Sequence, residues 1–200
     1  MQNIAVVDFD RTILDVDSLK YILIKEKFYL DPMLFALGVL LFWSIAFNRK
    51  KQKQLFVRNF FKKRLLLLID RLDKRKFDKY VEYFKNHLNH DLLRILNENY
   101  SKIFIVSASE ATLIENVVAG QLNSFTVIAN NMKHLENLET CWGINKVKFL
   151  QHKVGGEISF GFDVFTDSLD DRPLIMMSSH AFLVNKTEVQ EIDKSTLKCF

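Results

Sequence analysis

The sequence predicts an α/β protein in which a long helical insertion interrupts a parallel β-sheet. Short apolar runs bounded by polar or turn residues predict five strands, at 4–7, 103–106, 125–129, 162–166 and 181–184. From about residue 97 onward these runs alternate with helical segments, as a parallel sheet requires. Residues 15–96 contain one proline and one glycine, and so few helix breakers. We expect a core domain from residues 1–14 and 97–200, and a helical domain from residues 15–96.

Two carboxylates follow the first predicted strand. Asp8 and Asp10 come directly after the apolar run, and side chains two residues apart in a strand point to the same side. Open α/β sheets bind ligands at the carboxyl ends of their strands. The two side chains can therefore contact one metal ion and one phosphoryl group together. In the simpler interpretation, Asp10 and Thr12 only begin a turn and cap a helix.

Three further segments carry polar side chains where strands end or helices begin. Ser107 ends the second predicted strand, Lys146 opens a helical segment, and Asp167 and Asp171 follow the fourth strand. Two strands therefore end in carboxylates and one ends in a hydroxyl, with a lysine between them in the sequence. The set as a whole is more specific than any one of its members.

In order and spacing, these four motifs resemble those of the haloacid dehalogenase superfamily of Mg²⁺-dependent phosphohydrolases. The resemblance covers most of the chain and is to the subgroup of phosphoserine phosphatase and the bacterial phosphatidylglycerophosphatase C type. It implies a phosphatase with a Rossmann-like core and an inserted helical cap that closes over the site. Closure would exclude bulk water from the reaction.

The resemblance also implies roles for the carboxylates. Asp8 is expected to be the nucleophile that forms an aspartyl phosphate, with its other oxygen on Mg²⁺. Asp10 is expected to act as general acid and base, and its backbone carbonyl to bind the metal. Asp167 is the third expected metal ligand, and Asp171 is expected to orient metal-bound water or the lysine. Such a cluster suits Mg²⁺, which takes one or two carboxylates together with phosphate and water.

The remaining site residues are expected to bind the phosphoryl group. Ser107 and the backbone N–H groups after it, beginning at Ala108, run into a predicted helix N-terminus, which favours anions. Lys146 would add a fixed positive charge. Lys148 is the rival candidate, but Lys146 follows Gly143 at the apparent start of its helix, which resembles the position of the lysine in relatives.

Three positions and one short segment bear on the finer assignment. Arg11 stands where many relatives have glycine, so the loop must adopt a conformation that a side chain tolerates. Thr12 is expected to order the loop. Asp17 is expected to contact substrate or restrain the cap, or else to cap the first cap helix. The sequence Ser107-Ala108-Ser109 lacks the glycines usual in phosphoserine phosphatases, which weakens the phosphoserine interpretation.

A further informative segment lies in the helical insertion. Residues 32–48 carry no charge and precede four basic residues within 49–53. Because a bilayer span needs about 20 apolar residues, this run is too short to predict a transmembrane helix. Trp43 and the basic flank favour contact with an anionic membrane surface. Packing inside the protein or in a homo-oligomer interface is the alternative.

Composition excludes other classes. The chain is 48% hydrophobic, which suffices for a core, and its net charge of +4 is a modest bias. No recognised nucleic-acid-binding module is present, so we expect no nucleic-acid partner. Cys141 and Cys199 form no metal-binding or disulfide pattern. The first strand begins too early for a signal peptide, so we expect a cytoplasmic protein, peripheral to the inner face of the membrane if the apolar helix meets lipid.

Three functions remain open from the sequence. The first is a Mg²⁺-dependent phosphomonoesterase acting on a lipid phosphate such as phosphatidylglycerophosphate. The second is a soluble phosphatase for a small metabolite, such as an amino-acid or sugar phosphate. The third is a non-catalytic phosphate-binding protein, against which the intact set of acidic residues and lysine argues.

Overall fold

The computed structural model describes residues 3–47, 51–131, 140–155 and 161–199, without the side chains of 51–53, 55, 196, 198 and 199. Within these ranges the strands are β1 (Ile4–Val7), β2 (Lys102–Glu110), β3 (Phe125–Asn130), β4 (Asp163–Thr166), β5 (Ala181–Asn185) and β6 (Glu188–Glu191). They form one sheet in the order β3-β2-β1-β4-β5-β6. All neighbours are parallel except β5 and β6. The predicted α/β class is confirmed.

The helices surround this sheet. They are α1 (Ser18–Lys25), α2 (Pro32–Ala46), α3 (Lys51–Asp70), α4 (Lys74–Lys85), α5 (His90–Asn99), α6 (Ala111–Val118), α7 (Ile144–Val154) and α8 (Arg172–Met177). Side chains of Asp17, Asp31, Asp73 and Asn89 accept backbone N–H bonds at the starts of α1, α2, α4 and α5. These caps satisfy donors that a helix leaves free at its first turn, so each start is encoded locally.

The central strand β1 is buried on both faces. Ala5 and Val7 pack with the helical insertion and α6, whereas Ile4 and Val6 pack with α7 and the segment around β4. Alternate residues of a strand point to opposite faces, and a parallel strand covered on both faces is apolar throughout. Because β1 is held on both faces, the position of Asp8, the next residue after the strand, is also held.

The helical insertion agrees with its prediction, since α1 to α5 fill the chain between the first turn and β2. Its division from the core as a separate cap domain stays a prediction. Strand β2 runs on to Glu110, beyond the predicted 103–106, with an irregular register after Val106. Strand β6 lies in the carboxy-terminal segment, to which the sequence assigned no structure. Among the described helices, none is both long enough and apolar enough to cross a bilayer.

Candidate active site

Asp8 lies at the carboxyl end of the central strand and is paired with a lysine. Its backbone N–H donates to the carbonyl of Phe165 on β4 at 2.9 Å, which extends the sheet by one bond. Its Oδ1 accepts from Nζ of Lys146 at 2.8 Å. Lys146 lies in the first turn of α7 and is 3% exposed. The rival Lys148 is exposed and lines a separate cavity, so the geometry favours Lys146.

Lys146 also joins Asp8 to Asp171. Its Nζ donates to Oδ2 of Asp171 at 2.8 Å, and the same oxygen accepts from the hydroxyl of Thr166 at 2.9 Å. Burial alone would lower the pKa of Lys146, but the carboxylates of Asp8 and Asp171 raise it overall. The lysine is therefore held charged and fixed in direction by two carboxylates.

Asp10 is oriented by two serines on different elements. Its Oδ1 accepts from the backbone N–H of Ser18 at 2.8 Å, and its Oδ2 accepts a short bond from the hydroxyl of Ser109. The two serine hydroxyls lie 2.9 Å apart and share a hydrogen bond. Burial and the charge of Asp17 raise the pKa of Asp10 above its usual value, against the lowering effect of these bonds. A raised pKa of this kind suits a carboxyl group that gives and takes protons.

The loop between Asp8 and α1 bears on three predicted positions. Arg11 has φ of 60°, a left-handed conformation that costs a non-glycine residue about 1–2 kcal/mol. Its N–H donates to Val16 at 3.2 Å. Thr12 is buried, and its hydroxyl is the one buried side-chain group without a hydrogen-bond partner among those that the structure describes. Asp17 caps α1 through the N–H of Lys20 and also lines the cavity described below.

Asp167 follows β4 and faces the same cavity as Asp8. Burial and the negative charge of Asp8 raise its pKa to about 6. The pKa of Asp8 is likewise raised to about 6, mainly by burial and against the lowering effect of Lys146. Two neighbouring carboxylates that resist ionisation fit a site that a cation completes.

The oxygen atoms at this site are of the kind that Mg²⁺ binds in proteins. In the parts of the chain that the structure covers, no three acidic, histidine or cysteine side chains converge as a metal cage. Mg²⁺ does not require such a cage, because it binds through one or two carboxylates and keeps waters or phosphate as its other ligands. Asp8, Asp167 and the backbone carbonyl of Asp10 are the groups that would hold it.

Ser107 and Ala108 line the cavity from the last part of β2. The Ser107 hydroxyl accepts from the N–H of Ser109 at 3.1 Å, and the Ala108 carbonyl accepts from the side chain of Asn130 at 2.6 Å. Two N–H groups in the first turn of α6, those of Thr112 and Leu113, are already bound, because the Glu110 carboxylate accepts from both. Anion binding here would therefore rest on Ser107 and the neighbouring loop.

The cavity has a volume of about 370 Å³ and lies between the core loops and the helical insertion. Lys62 and Arg58 of α3 reach it from the insertion, and the Arg58 guanidinium lies 3.6 Å from the ring centre of Trp142. Burial and the charges of Arg58 and Lys146 lower the pKa of the half-buried Lys62 to about 8. Neither of these two cations was singled out from the sequence.

Comparisons with known proteins identify the family of the chain. The sequence profile of the haloacid dehalogenase-like hydrolases matches residues 5–176. The chain therefore belongs to this family, and the predictions of the superfamily and of an enzyme are confirmed. No curated protein matches the sequence.

Solved structures share the fold. A protein of unknown function from Bordetella pertussis Tohama I is 14% identical, with a TM-score of 0.61 over 90% of this chain and 89% of that one. A substrate-bound phosphoserine phosphatase is 11% identical, with a TM-score of 0.54 over 90% and 85%. A hydrolase of the family from Salmonella enterica serovar Typhi is 14% identical, with a TM-score of 0.52 over 88% and 60%. At these identities the similarity shows the fold.

Proposed function

We propose that the protein is a Mg²⁺-dependent phosphomonoester hydrolase in which Asp8 forms an aspartyl phosphate. The observation that carries the proposal is the position of Asp8, beside Lys146 at 2.8 Å in a cavity that Asp10 and Asp167 also line. Family membership and the fold shared with a phosphoserine phosphatase support the reaction class.

In the first step, a carboxylate oxygen of Asp8 attacks phosphorus while the bond from phosphorus to the leaving oxygen breaks. Asp10 donates its proton to that oxygen, which leaves as an alcohol. The raised pKa of Asp10 supports this role, because burial keeps a proton on the group closer to neutral pH. Lys146 offsets the negative charge that gathers around the phosphoryl group.

In the second step, Asp10 removes a proton from water, and the water oxygen attacks the phosphorus of the aspartyl phosphate. The bond between phosphorus and Asp8 breaks, which releases inorganic phosphate and restores both carboxyl groups. Ser18 and Ser109 hold Asp10 in one orientation through both steps. When bound, Mg²⁺ would supply the positive charge that allows a carboxylate to approach a phosphate dianion.

For the substrate, we propose a lipid phosphate such as phosphatidylglycerophosphate, taken from an anionic membrane surface. Helix α2 supports this choice, because it has no charged residue and buries only Leu34 and Ser44. Its exposed side chains include Phe35, Phe42 and Trp43, which are 64%, 70% and 52% exposed. Exposed apolar patches of this kind mark surfaces that meet lipid or another protein.

The charge of the same region favours an anionic surface. Residues 32–69 contain eight lysines and arginines and no acidic residue. Residues 49 and 50 of the predicted basic flank lie outside the described residues, as do the side chains of 51–53. Basic residues close to an apolar surface attract anionic lipid headgroups by about 1 kcal/mol each.

A water-soluble phosphomonoester is the second candidate substrate, and it is favoured by the fold shared with phosphoserine phosphatase. The exposed face of α2 would then be covered by a second copy of the chain. Sedimentation with vesicles that contain anionic lipid separates these cases. Retention in the supernatant, together with a dimeric mass, would favour the soluble phosphatase.

The activity itself is tested by phosphate release from a panel of phosphomonoesters that includes lipid phosphates in detergent. We expect release that depends on Mg²⁺ and is lost in Asp8→Asn, a variant of nearly the same size and shape. Release that persists in Asp8→Asn would overturn the assignment of the nucleophile. The preferred panel member decides between the lipid and the soluble substrate.

A further inference from the structure

A second, apolar cavity adjoins the catalytic one. It has a volume of about 360 Å³ and lies between α1, α2 and α3. Its walls include Leu34, Val39 and Phe42, and no residue that lines it carries a charge. Binding sites for small molecules are mostly apolar cavities of this order of size. We refer to this cavity as the apolar groove.

The apolar groove and the catalytic cavity have two side chains in common. Leu23 of α1 and Phe61 of α3 line both of them. From the helical insertion the catalytic cavity is lined by Leu19, Leu41 and Leu65 together with Arg58 and Lys62, whereas Asp8 and Asp167 follow core strands and Lys146 lies on α7. A ligand whose phosphate lies at Asp8 and whose body passes between Leu23 and Phe61 therefore enters hydrocarbon surroundings.

We infer that the apolar groove binds one hydrocarbon chain of the substrate and so selects long-chain phosphomonoesters. This inference rests on the proposed hydrolase function and names the part of the substrate that the helical insertion recognises. An acyl chain matches the groove in chemistry, because each buried methylene group gains by leaving water and requires no polar partner. The chain would reach the groove from the exposed apolar face of α2, which forms one of its walls.

Gly38 is the position where the groove can be closed. It lies in the interior of α2, where a glycine weakens a helix, and it lines the groove. A methyl group added at Gly38 would lie 3.5 Å from Cε2 of Phe61, which is an ordinary contact distance. Alanine therefore fits with the groove still open, whereas leucine would occupy the space beside Phe61.

The test measures kcat/KM for glycerol 3-phosphate and for monoacylglycerol phosphates of increasing chain length, all below the concentration at which they form micelles. For the wild type we expect kcat/KM to rise with chain length, by up to about fourfold per buried methylene group, and then to level off. Gly38→Leu should remove most of that rise and leave glycerol 3-phosphate hydrolysis unchanged. Gly38→Ala is the matched control and should keep the rise.

Val39→Trp provides a second closure, from a side chain at the rim that is 39% exposed. It guards against the case in which Gly38→Leu fails to fold, which circular dichroism would reveal. A wild type that hydrolyses every chain length equally well would overturn the inference, as would a full rise in both closing variants. Absence of hydrolysis of every probe by the wild type is a different result, and it would count against the proposed function itself.

Discussion

Replacing Lys146 by methionine should strongly destabilise the fold, because the lysine is buried between two carboxylates. Its ammonium donates to Asp8 and to Asp171, each at 2.8 Å. Removing one partner of a buried, hydrogen-bonded ion pair costs about 3–5 kcal/mol, since the other charge stays behind without compensation. For a domain of this size, where 1 kcal/mol shifts the midpoint of thermal unfolding by about 2–4 °C, we expect that midpoint to fall by about 6–20 °C.

The destabilisation should also depend on pH. Without the lysine, Asp8 loses the cation that favours its charged form, so its folded-state pKa rises further above its unfolded value. A carboxyl group with a raised folded-state pKa destabilises the fold above that pKa, and the penalty disappears once both states are protonated. The pKa of Asp8 is already raised to about 6 in the presence of Lys146. The deficit should therefore be largest at neutral pH and above and shrink as the pH falls towards 6, because below that pH Asp8 is largely protonated in both folded proteins.

The assay is chemical unfolding of both proteins across this pH range, in buffer with a chelator so that no divalent cation compensates. Lys148→Met is the matched control, because it removes the same charge from an exposed position on the same helix. That variant should stay within about 0.5 kcal/mol of the wild type. Equal losses in the two variants, or a Lys146→Met deficit that does not change with pH, would refute the reasoning.

Three further variants test other contacts. Lys62→Met should raise KM more than it lowers kcat, and it should abolish a fall in wild-type kcat/KM above pH 8, since the pKa of Lys62 is about 8 and a neutral amine attracts phosphate weakly. Ser109→Ala removes a bond that lowers the pKa of Asp10, so the limb of the pH–rate profile that reports Asp10 should move to higher pH. Asp31→Asn should lower the unfolding midpoint at neutral pH, because Arg64 and a backbone N–H favour the ionised carboxylate. That stability is present above the unfolded pKa of Asp31 and is lost as the pH falls through its lowered folded pKa, so variant and wild type should converge in acid.

Each of these variants has a control on the same element or nearby. Lys63→Met removes a neighbouring charge that does not line the catalytic cavity, and should leave KM unchanged. Ser101→Ala removes an exposed hydroxyl and should leave the pH–rate profile in place. Asp70→Asn removes an exposed carboxylate at the end of α3. A control that matches its paired variant would show that the proposed contact is not the cause.

The sheet could be predicted from the sequence, because each parallel strand carries its own signal. Strand β1 is apolar throughout and ends directly in Asp8, so both the strand and the position of the carboxylate are readable from local pattern. Strand β6 could not be found in this way. It is a polar edge strand whose partner is the preceding β5, and three of its four residues are exposed. Such a segment lacks the regular alternation of apolar and polar residues from which a half-buried strand is predicted.

From the sequence, site residues could be proposed only where they follow predicted strands or match a motif. Ser109 was missed as the partner of Asp10, because the two residues are 99 positions apart and are brought together by the parallel pairing of β1 with β2. Lys62 and Arg58 were missed because nothing local distinguishes them from the other basic residues of α3. The role of Glu110 was also missed. Its carboxylate caps α6 by accepting from two N–H groups of the first turn, those of Thr112 and Leu113. Contacts between residues that are distant in the sequence leave no periodic pattern of apolar and polar residues, so they could not be predicted from it.

The most direct test of the account is to quench the reaction with acid during turnover and search for a phosphoryl group on the protein by peptide mass spectrometry. The account predicts one phosphoryl group on the peptide that contains Asp8, formed only with Mg²⁺ and substrate present, and none in Asp8→Asn. Hydrolysis of this aspartyl phosphate should be slower in Ser109→Ala, because Asp10 loses the hydrogen bond from the Ser109 hydroxyl. Continued phosphate release by Asp8→Asn, or a phosphoryl group on another residue, would contradict the central claim.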